Sequence, residues 1–439
     1  MNDFFFARSQ MAMSLAFHIV FAALGIGMPL LMVMAEGTYL RTGEPVYLEL
    51  SKRWARGTAI LFAVGAVSGT VLSFELGLLW PGFMEKAGAI IGMPFSLEGF
   101  AFFTEAIFIG VYLYGWGRLP PLLHWLAGVL VAVSGTLSGI IVVTANAWMN
   151  APAGFRFING RFTGIDPVAA MFNRASLHET LHMTLAAFVA TGFAVAAVHA
   201  FLLRRSPGSP FHRCALGLAL AMACVTIPLL VLSGDFSARS VGRLQPAKLA
   251  AMEALYRSQD GAPLLLGGNP DDSARTVHGA LVIPRGLSLL LADDPGARVA
   301  GLEEFPRTDW PNVRMVHWSF DLMVLSGFAM LAVAGWAGWI WWRRPPLADH
   351  PWLLGTLIAA GPLGFLAIEA GWIVTEVGRQ PWIIYNVMRT KDAVTPMPGI
   401  AVPFLAFTIL YAFLAFVVTR LLRQQFLETD GAVPESSPA

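Results

Sequence analysis

Hydrophobic positions along this chain do not alternate with polar ones at the period of a strand. They run on in long blocks. Nine such stretches occur, at about 10–36, 57–80, 97–116, 122–149, 178–203, 212–233, 316–342, 351–376 and 399–422. A hydrocarbon layer ~30 Å thick takes about 20 apolar residues of helix to cross. Runs of that length are poor soluble strands and poor core helices. The pattern predicts an all-α, polytopic membrane protein with nine transmembrane helices, and an odd number of crossings puts the termini on opposite sides.

The polar stretches divide the chain. Residues 1–233 hold spans one to six, residues 316–425 hold spans seven to nine, and 426–439 read as a disordered C-terminal tail. Between them, 234–315 forms one long extramembrane loop, a length usually tied to function or disorder. Within it, Pro246 to Leu255 predicts a short helix with proline near its start. Cytoplasmic loops carry excess Lys and Arg. With the N-terminus outside, twelve basic residues fall inside (Arg41, Lys52, Arg53, Arg56, Arg118, Arg204, Arg205, Arg213, Arg343, Arg344, Arg420 and Arg423), against eight outside. The expectation is therefore N-terminus outside and C-terminus cytoplasmic.

Composition removes the other classes. A soluble chain of 439 residues would suggest about three domains, but only 13% of residues are charged against roughly 25% in soluble proteins. Mean hydropathy is +0.63 over the whole chain, more than one anchor helix could produce. A net charge of +1 offers no basic face to nucleic acid. The two cysteines, Cys214 and Cys224, lie in one apolar run, which argues against a disulfide or a cysteine metal site. No CxxCH is present for covalent haem, and Met1-Asn2-Asp3 lacks the basic start of a signal peptide.

Ionisable and coordinating groups inside the spans are few, and each is costly enough to be a functional candidate. They are His18, Glu98 and Glu105, His178 and His182, Asp321 and Met323, and Glu369 and Glu376. Glu98 and Glu105 lie two turns apart on one helical face, and Glu369 and Glu376 repeat that spacing. At ~1.5 Å per residue, the nine-span topology gathers all of these groups in the outer half of the membrane. His and Met are haem ligands, and a His/Met pair raises the potential of an electron-transfer haem. A lone histidine is more often a packing residue, Met323 is one of eighteen methionines, and His178 with His182 makes only half of a closed metal site. Glu75 reads as interfacial. On these residues alone, a membrane redox protein and a proton-coupled transporter both remain open.

Residues 369–382, Glu-Ala-Gly-Trp-Ile-Val-Thr-Glu-Val-Gly-Arg-Gln-Pro-Trp, carry a GRQPW signature that resembles subunit I of cytochrome bd quinol oxidase. Phe17-His18 followed by Gly25-Ile26-Gly27-Met28, Leu97-Glu98-Gly99, Phe102 to Glu105, Ala145 to Met149, Leu181-His182-Met183, Gly234-Asp235 and Lys248 to Glu253 extend the likeness over nearly the whole chain. The resemblance implies three haems: a low-spin b, a high-spin b and a haem d at which oxygen is reduced. It implies His182 and Met323 as ligands of the low-spin haem. His18 and Glu369 would be axial ligands of the high-spin pair, with their division between those two haems left open and Glu98 beside haem d. Glu105 would lie on a proton route, and Arg379 would pair with a haem propionate or with Glu376. Lys248 and Glu253 would contact quinol in a loop of the short type.

The implied activity is quinol oxidation at the outer face and oxygen reduction to water with cytoplasmic protons, which builds a proton gradient without pumping. Implied partners are a second oxidase subunit, a small single-helix accessory subunit, membrane quinol and oxygen. The implied location is the bacterial inner membrane. One departure stands out: Asp321 replaces an arginine that some members carry near the low-spin haem, and a carboxylate there would lower the haem potential. A b-type quinone cytochrome without oxygen chemistry and a haem-free transporter are the competing classes.

Overall fold

The structure is a computed structural model describing residues 3–158, 160–343 and 346–427. Among the described residues, nine helices are long and apolar enough to cross a membrane. They are α1 (Asp3–Thr42), α2 (Pro45–Leu79), α3 (Pro81–Tyr114), α4 (Pro121–Asn150), α6 (Ser176–Arg205), α7 (Pro210–Leu244), α10 (Val313–Trp342), the pair α11 (Pro351–Ala360) and α12 (Leu363–Gly378), and α13 (Ala401–Leu427). Short helices α5 (Pro167–Met171), α8 (Pro246–Met252) and α9 (Gly286–Ala292) lie between them. Pro45, Pro81, Pro121, Pro210, Pro246 and Pro351 each open a helix, where the missing N–H costs nothing and φ is preset. Pro362 divides the eighth span instead, because a proline in a helix interior removes a hydrogen bond and clashes with the preceding turn.

Nine spans and the short helix at Pro246 agree with the sequence expectation; the boundaries do not. α1 begins at Asp3 and α3 at Pro81, so residues 81–96, read as an outer segment containing Lys86, are helical. α7 continues to Leu244, so the long loop starts at 245. Amphipathic end turns extend these helices beyond the apolar window. The tail at 428–439 lies outside the described residues.

Close helix approach depends on small residues, as is usual where lipid gives no hydrophobic drive. A Cβ added at Gly364 would lie 2.5 Å from Ala190 Cα, and one at Gly192 would lie 3.0 Å from Ala223 Cβ. The backbone meets itself at one end of the bundle: Tyr385 N donates to Met149 O (2.9 Å), and Thr395 N to Leu79 O (2.8 Å). The long loop sits at this end, which we call the loop side. Trp336, Trp339, Trp341, Trp342 and Trp352 are exposed toward the far end, the position of an interfacial aromatic belt.

The loop is folded and docked. Leu249, Leu255, Ala262, Leu287 and Val299 form one small core, and Ala250, Tyr256 and Leu302 form another with Val316 of α10 and Val374 of α12. Two antiparallel hairpin pairs, Leu264–Leu266 with Leu281–Ile283 and Asn269–Asp271 with Thr276–His278, cover its outer surface.

Candidate functional site

His18 and His182 are held by the same device on two helix pairs. His18 Nδ1 lies 2.9 Å from Ser68 Oγ, and Ser68 Oγ donates to Val64 O at 2.9 Å. The serine proton is thus committed to the backbone, so its oxygen accepts from His18 Nδ1–H. His182 Nδ1 lies 2.9 Å from Ser233 Oγ, whose proton goes to Leu230 O at 2.8 Å. With the serine protons on the backbone, both imidazoles take the Nδ1–H tautomer, an arrangement that leaves the Nε2 lone pair for a metal. Glycines flank them: a Cβ at Gly69 would lie 3.0 Å from His18 Cε1, and one at Gly234 would lie 3.5 Å from His182 Cε1. The Met323 sulfur lies against Gly371, where a Cβ would stand 3.0 Å from it. His18, His182, Met323 and Glu369 are each half-buried, neither sealed in the core nor open to lipid. Two free imidazole nitrogens, a thioether and carboxylates form a donor set that fits haem iron.

The carboxylates differ in setting. Glu369 Oε1 is buried without a partner. Glu376 is held on both oxygens, by Asn146 Nδ2 (2.5 Å) and Arg379 (2.6 Å). Of the two partners expected for Arg379, the structure shows Glu376. Glu98 accepts from Ser138 Oγ (3.1 Å) across the α3–α4 seam, and Glu105 lies where a Gly135 Cβ would stand 3.0 Å from its carboxylate. Gly135 is at the midpoint of α4, so Glu105 lies at mid-depth and not in the loop-side half expected for it. The early start of α3 accounts for the difference. Glu75 also departs from its interfacial reading: it is buried, and accepts from Gln10 Nε2 (3.0 Å) and Ser14 Oγ (2.9 Å).

On the loop side, α8 lays Lys248 into the bundle. Its stem packs on Gly378, where a Cβ would stand 2.9 Å from Lys248 Cγ, and its Nζ donates to Asn150 Oδ1 at 3.0 Å. Asn150 is the hub: it also accepts from Gln245 (3.1 Å) and Arg379 (3.4 Å), and donates to Asn146 (3.0 Å) and Glu179 (2.9 Å). Two cations and two carboxylates balance around it. Burial pushes the Lys248 ammonium down to about 7, an effect the Arg379 charge reinforces.

Glu253 caps the other end of α8 and is equally buried. Burial, with the nearby Asp321 charge, raises its carboxyl to about 8. Lys248 and Glu253 therefore mark two ends of α8, not one side-chain pair. Asp321 accepts from Gly267 N (2.8 Å) and lies 3.4 Å from His317, which faces the Met252 carbonyl (2.7 Å) and the Gly267 carbonyl (3.0 Å). It fastens the loop to α10, a role its sequence position did not suggest.

Sequence reasoning missed Asn150, Glu179, Gln245, His317 and the two serines. Asn150 falls one turn after Asn146 and Glu179 directly follows His178, so only spacing from a known candidate could have pointed to them. His178 is buried with both ring nitrogens unpartnered, and its ring meets Phe236 edge-on.

Side chains whose chemistry suits iron, on α1, α6, α10 and α12, beside a folded loop with buried ionisable groups, point to a polytopic membrane redox subunit. The profile of the family Cytochrome bd terminal oxidase subunit I matches residues 6–429. A Bacillus subtilis protein provisionally named cytochrome bd menaquinol oxidase subunit I is 38% identical over 97% of this chain and 97% of its own length. The Bacillus subtilis cytochrome bd ubiquinol oxidase subunit 1 is 32% identical over 97% of this chain and 94% of its own. The solved bd oxidase from Geobacillus thermodenitrificans superposes with a TM-score of 0.92 at 37% identity, covering 97% of this chain and 99% of that one. The chain belongs to the cytochrome bd oxidase subunit I family. It is a haem-binding, multi-pass membrane subunit of a multi-subunit quinol oxidase.

Proposed function

We propose that the chain oxidises membrane quinol at the loop side, the outer face of a bacterial membrane, and delivers the electrons to three haems held among α1, α6, α10 and α12. The matched serine–histidine pairs carry this reading, since each prepares an Nε2 lone pair for iron. His182 and Met323 would hold the low-spin haem b. His18 and one carboxylate of α12 would hold the high-spin haem b and haem d. Glu369 offers the free oxygen, while Glu376 has the supporting hydrogen bonds that ligating carboxylates usually keep. Haem, when bound, supplies the one-electron transfer and oxygen reduction that side chains cannot.

The remaining work falls to this chain's own groups. Lys248, whose ammonium burial makes easier to deprotonate, accepts a quinol hydroxyl proton in its neutral form while Asn150 holds its amine. Glu253 is the second acceptor once ionised. Glu98 and Glu105 hand protons toward the oxygen site from the opposite face, so charge separates across the membrane without a pump. A second oxidase subunit, together with a small single-helix accessory subunit, completes the enzyme against the exposed apolar helix faces.

The test is a reduced-minus-oxidised spectrum of the purified complex combined with oxygen uptake driven by ubiquinol and by menaquinol. The reading expects b-type bands, a red haem d band and quinol-dependent uptake. Only b-type bands with no oxygen uptake would leave a quinone cytochrome, and no haem bands would leave a transporter.

A further inference from the structure

At the membrane end opposite the loop, four helices converge on a closed polar cluster that none of the roles above uses. Glu36 of α1, Ser51 of α2, Tyr112 of α3 and His124 of α4 are each buried, at 3% exposure or less. His124 Nδ1 lies 2.7 Å from Glu36 Oε1, and its Nε2 lies 2.9 Å from the Tyr112 carbonyl. Tyr112 Oη lies 2.6 Å from Glu36 Oε2 and 2.6 Å from Ser51 Oγ.

Hydrogen-bond chemistry limits where the protons can be. A carbonyl only accepts, so His124 Nε2 carries a proton permanently. Between Nδ1 and Oε1 there is then one shared proton, placed either on the imidazolium or on the carboxyl, with the heavy atoms unmoved. Tyr112 allows the same exchange: it donates to Glu36 and accepts from Ser51, or accepts from a protonated Glu36 and donates to Ser51. The cluster can take up, hold and release a proton without rearranging.

Its position on α3 gives it a destination. Glu98, Glu105 and Tyr112 recur every seven residues and so form one stripe. Facing them, α4 presents Ser138, Gly135, Gly128 and His124: Ser138 bonds Glu98, Gly135 meets the Glu105 carboxylate, and a Gly128 Cβ would lie 2.6 Å from the Tyr112 ring. Lacking side chains at those two levels, α4 lets each polar group of α3 lie in the seam between the helices. On the outward side, His124 packs against Trp116 with ring centroids 3.8 Å apart and the planes tilted by 41°, and Lys52 lies over the same indole at 5.4 Å.

We propose that Glu36, His124 and Tyr112 form the entry station of the proton route that continues through Glu105 to Glu98. This rests on the reading that Glu105 and Glu98 carry protons toward oxygen. A proton taken up at the Glu36–His124 pair passes from Glu36 Oε2 to Tyr112 Oη as Tyr112 hands its own phenolic proton to Ser51 Oγ, and Ser51 releases its hydroxyl proton onward in the direction of Glu105. Tyr112 stays neutral, and Glu36 is ready for the next proton. Seven residues of helix, about 10.5 Å of rise, separate Tyr112 from Glu105, a gap for water to bridge.

The test follows proton uptake with a pH dye while the fully reduced, assembled oxidase reacts with oxygen, alongside its haem spectra. Y112F removes one oxygen and keeps the ring seated on Gly128, and E36Q removes the proton-sharing carboxylate. Both are expected to show native haem spectra and proton uptake slowed by roughly tenfold or more, since a positioned proton-transfer group contributes about 10²–10⁴-fold. Wild-type uptake in Y112F overturns the proposal and leaves the cluster a structural tie, whether or not E36Q assembles. E105Q separates the layers. If E105Q is slow and Y112F is not, only the entry station falls; if E105Q is also at wild-type speed, the route through α3 falls with it.

Discussion

The Ser68 hydroxyl lies 2.9 Å from both the Val64 carbonyl and His18 Nδ1, and in giving its proton to the carbonyl it accepts from His18. A side chain with no metal-binding role thereby decides which histidine nitrogen faces the cofactor. Ser68→Ala and Ser233→Ala should each loosen one haem by the 10- to 100-fold that loss of such a supporting bond typically costs. Haem content at limiting haem, read separately for the high-spin and low-spin bands, checks this. Ser233→Ala should spare the high-spin bands and Ser68→Ala the low-spin band; loss of both bands in either variant would contradict the assignment.

Quinol oxidation should quicken as pH rises. Lys248 accepts a proton only when neutral, and burial places that change at about 7. Glu253 accepts only when ionised, which its raised value puts at about 8. Both groups gain acceptor character with increasing pH, so kcat/KM for quinol should climb through both values. Lys248→Met should remove the lower limb and Glu253→Gln the upper, and a flat wild-type profile from pH 6 to 9 would count against both roles.

The carboxylate ligand can be identified by comparing Glu369→Gln with Glu376→Gln. Loss of the ligand should shift or abolish a high-spin band, while loss of a neighbour should leave the bands and lower turnover. A spectrum unchanged in both variants would exclude α12 as the source of the ligand.

Asn150 offers a test of the hub. Asn150→Asp keeps the acceptor for Lys248 but turns both donors into acceptors beside Glu179 and Asn146. A buried group left without its partner costs about 1–3 kcal/mol. The expected result is a KM for quinol raised roughly fivefold or more by that energy, and an unchanged KM would show that the hub does not feel the substrate.

Much of this was legible in the sequence. Nine apolar blocks stand out by length, and the lone groups His18, His182 and Glu369 stand out because a polar side chain in hydrocarbon is costly enough to call for a reason. Helix ends were less legible: Pro81 to Ser96, punctuated by Pro81, Gly82, Glu85, Lys86 and Pro94, reads as a connection until it packs. Asn150, Glu179 and Gln245 were hidden for a different reason. At the membrane surface a polar residue is unremarkable, and only the convergence of α4, α6, α7, α8 and α12 turns these into one network. Ser68 and Ser233 were invisible because serine back-bonding within a helix leaves no mark in composition. Glu105 was placed too near one face because depth was counted from residue 97, whereas α3 begins sixteen residues earlier at Pro81.

The loop shares its core with the bundle: Tyr256 and Leu302 are buried against Val316 and Val374. Lifting the loop would expose that apolar surface to water at about 25 cal/mol per Å². It therefore cannot swing as a lid for each substrate molecule. Heat should melt the loop and the helices beneath it as one cooperative unit.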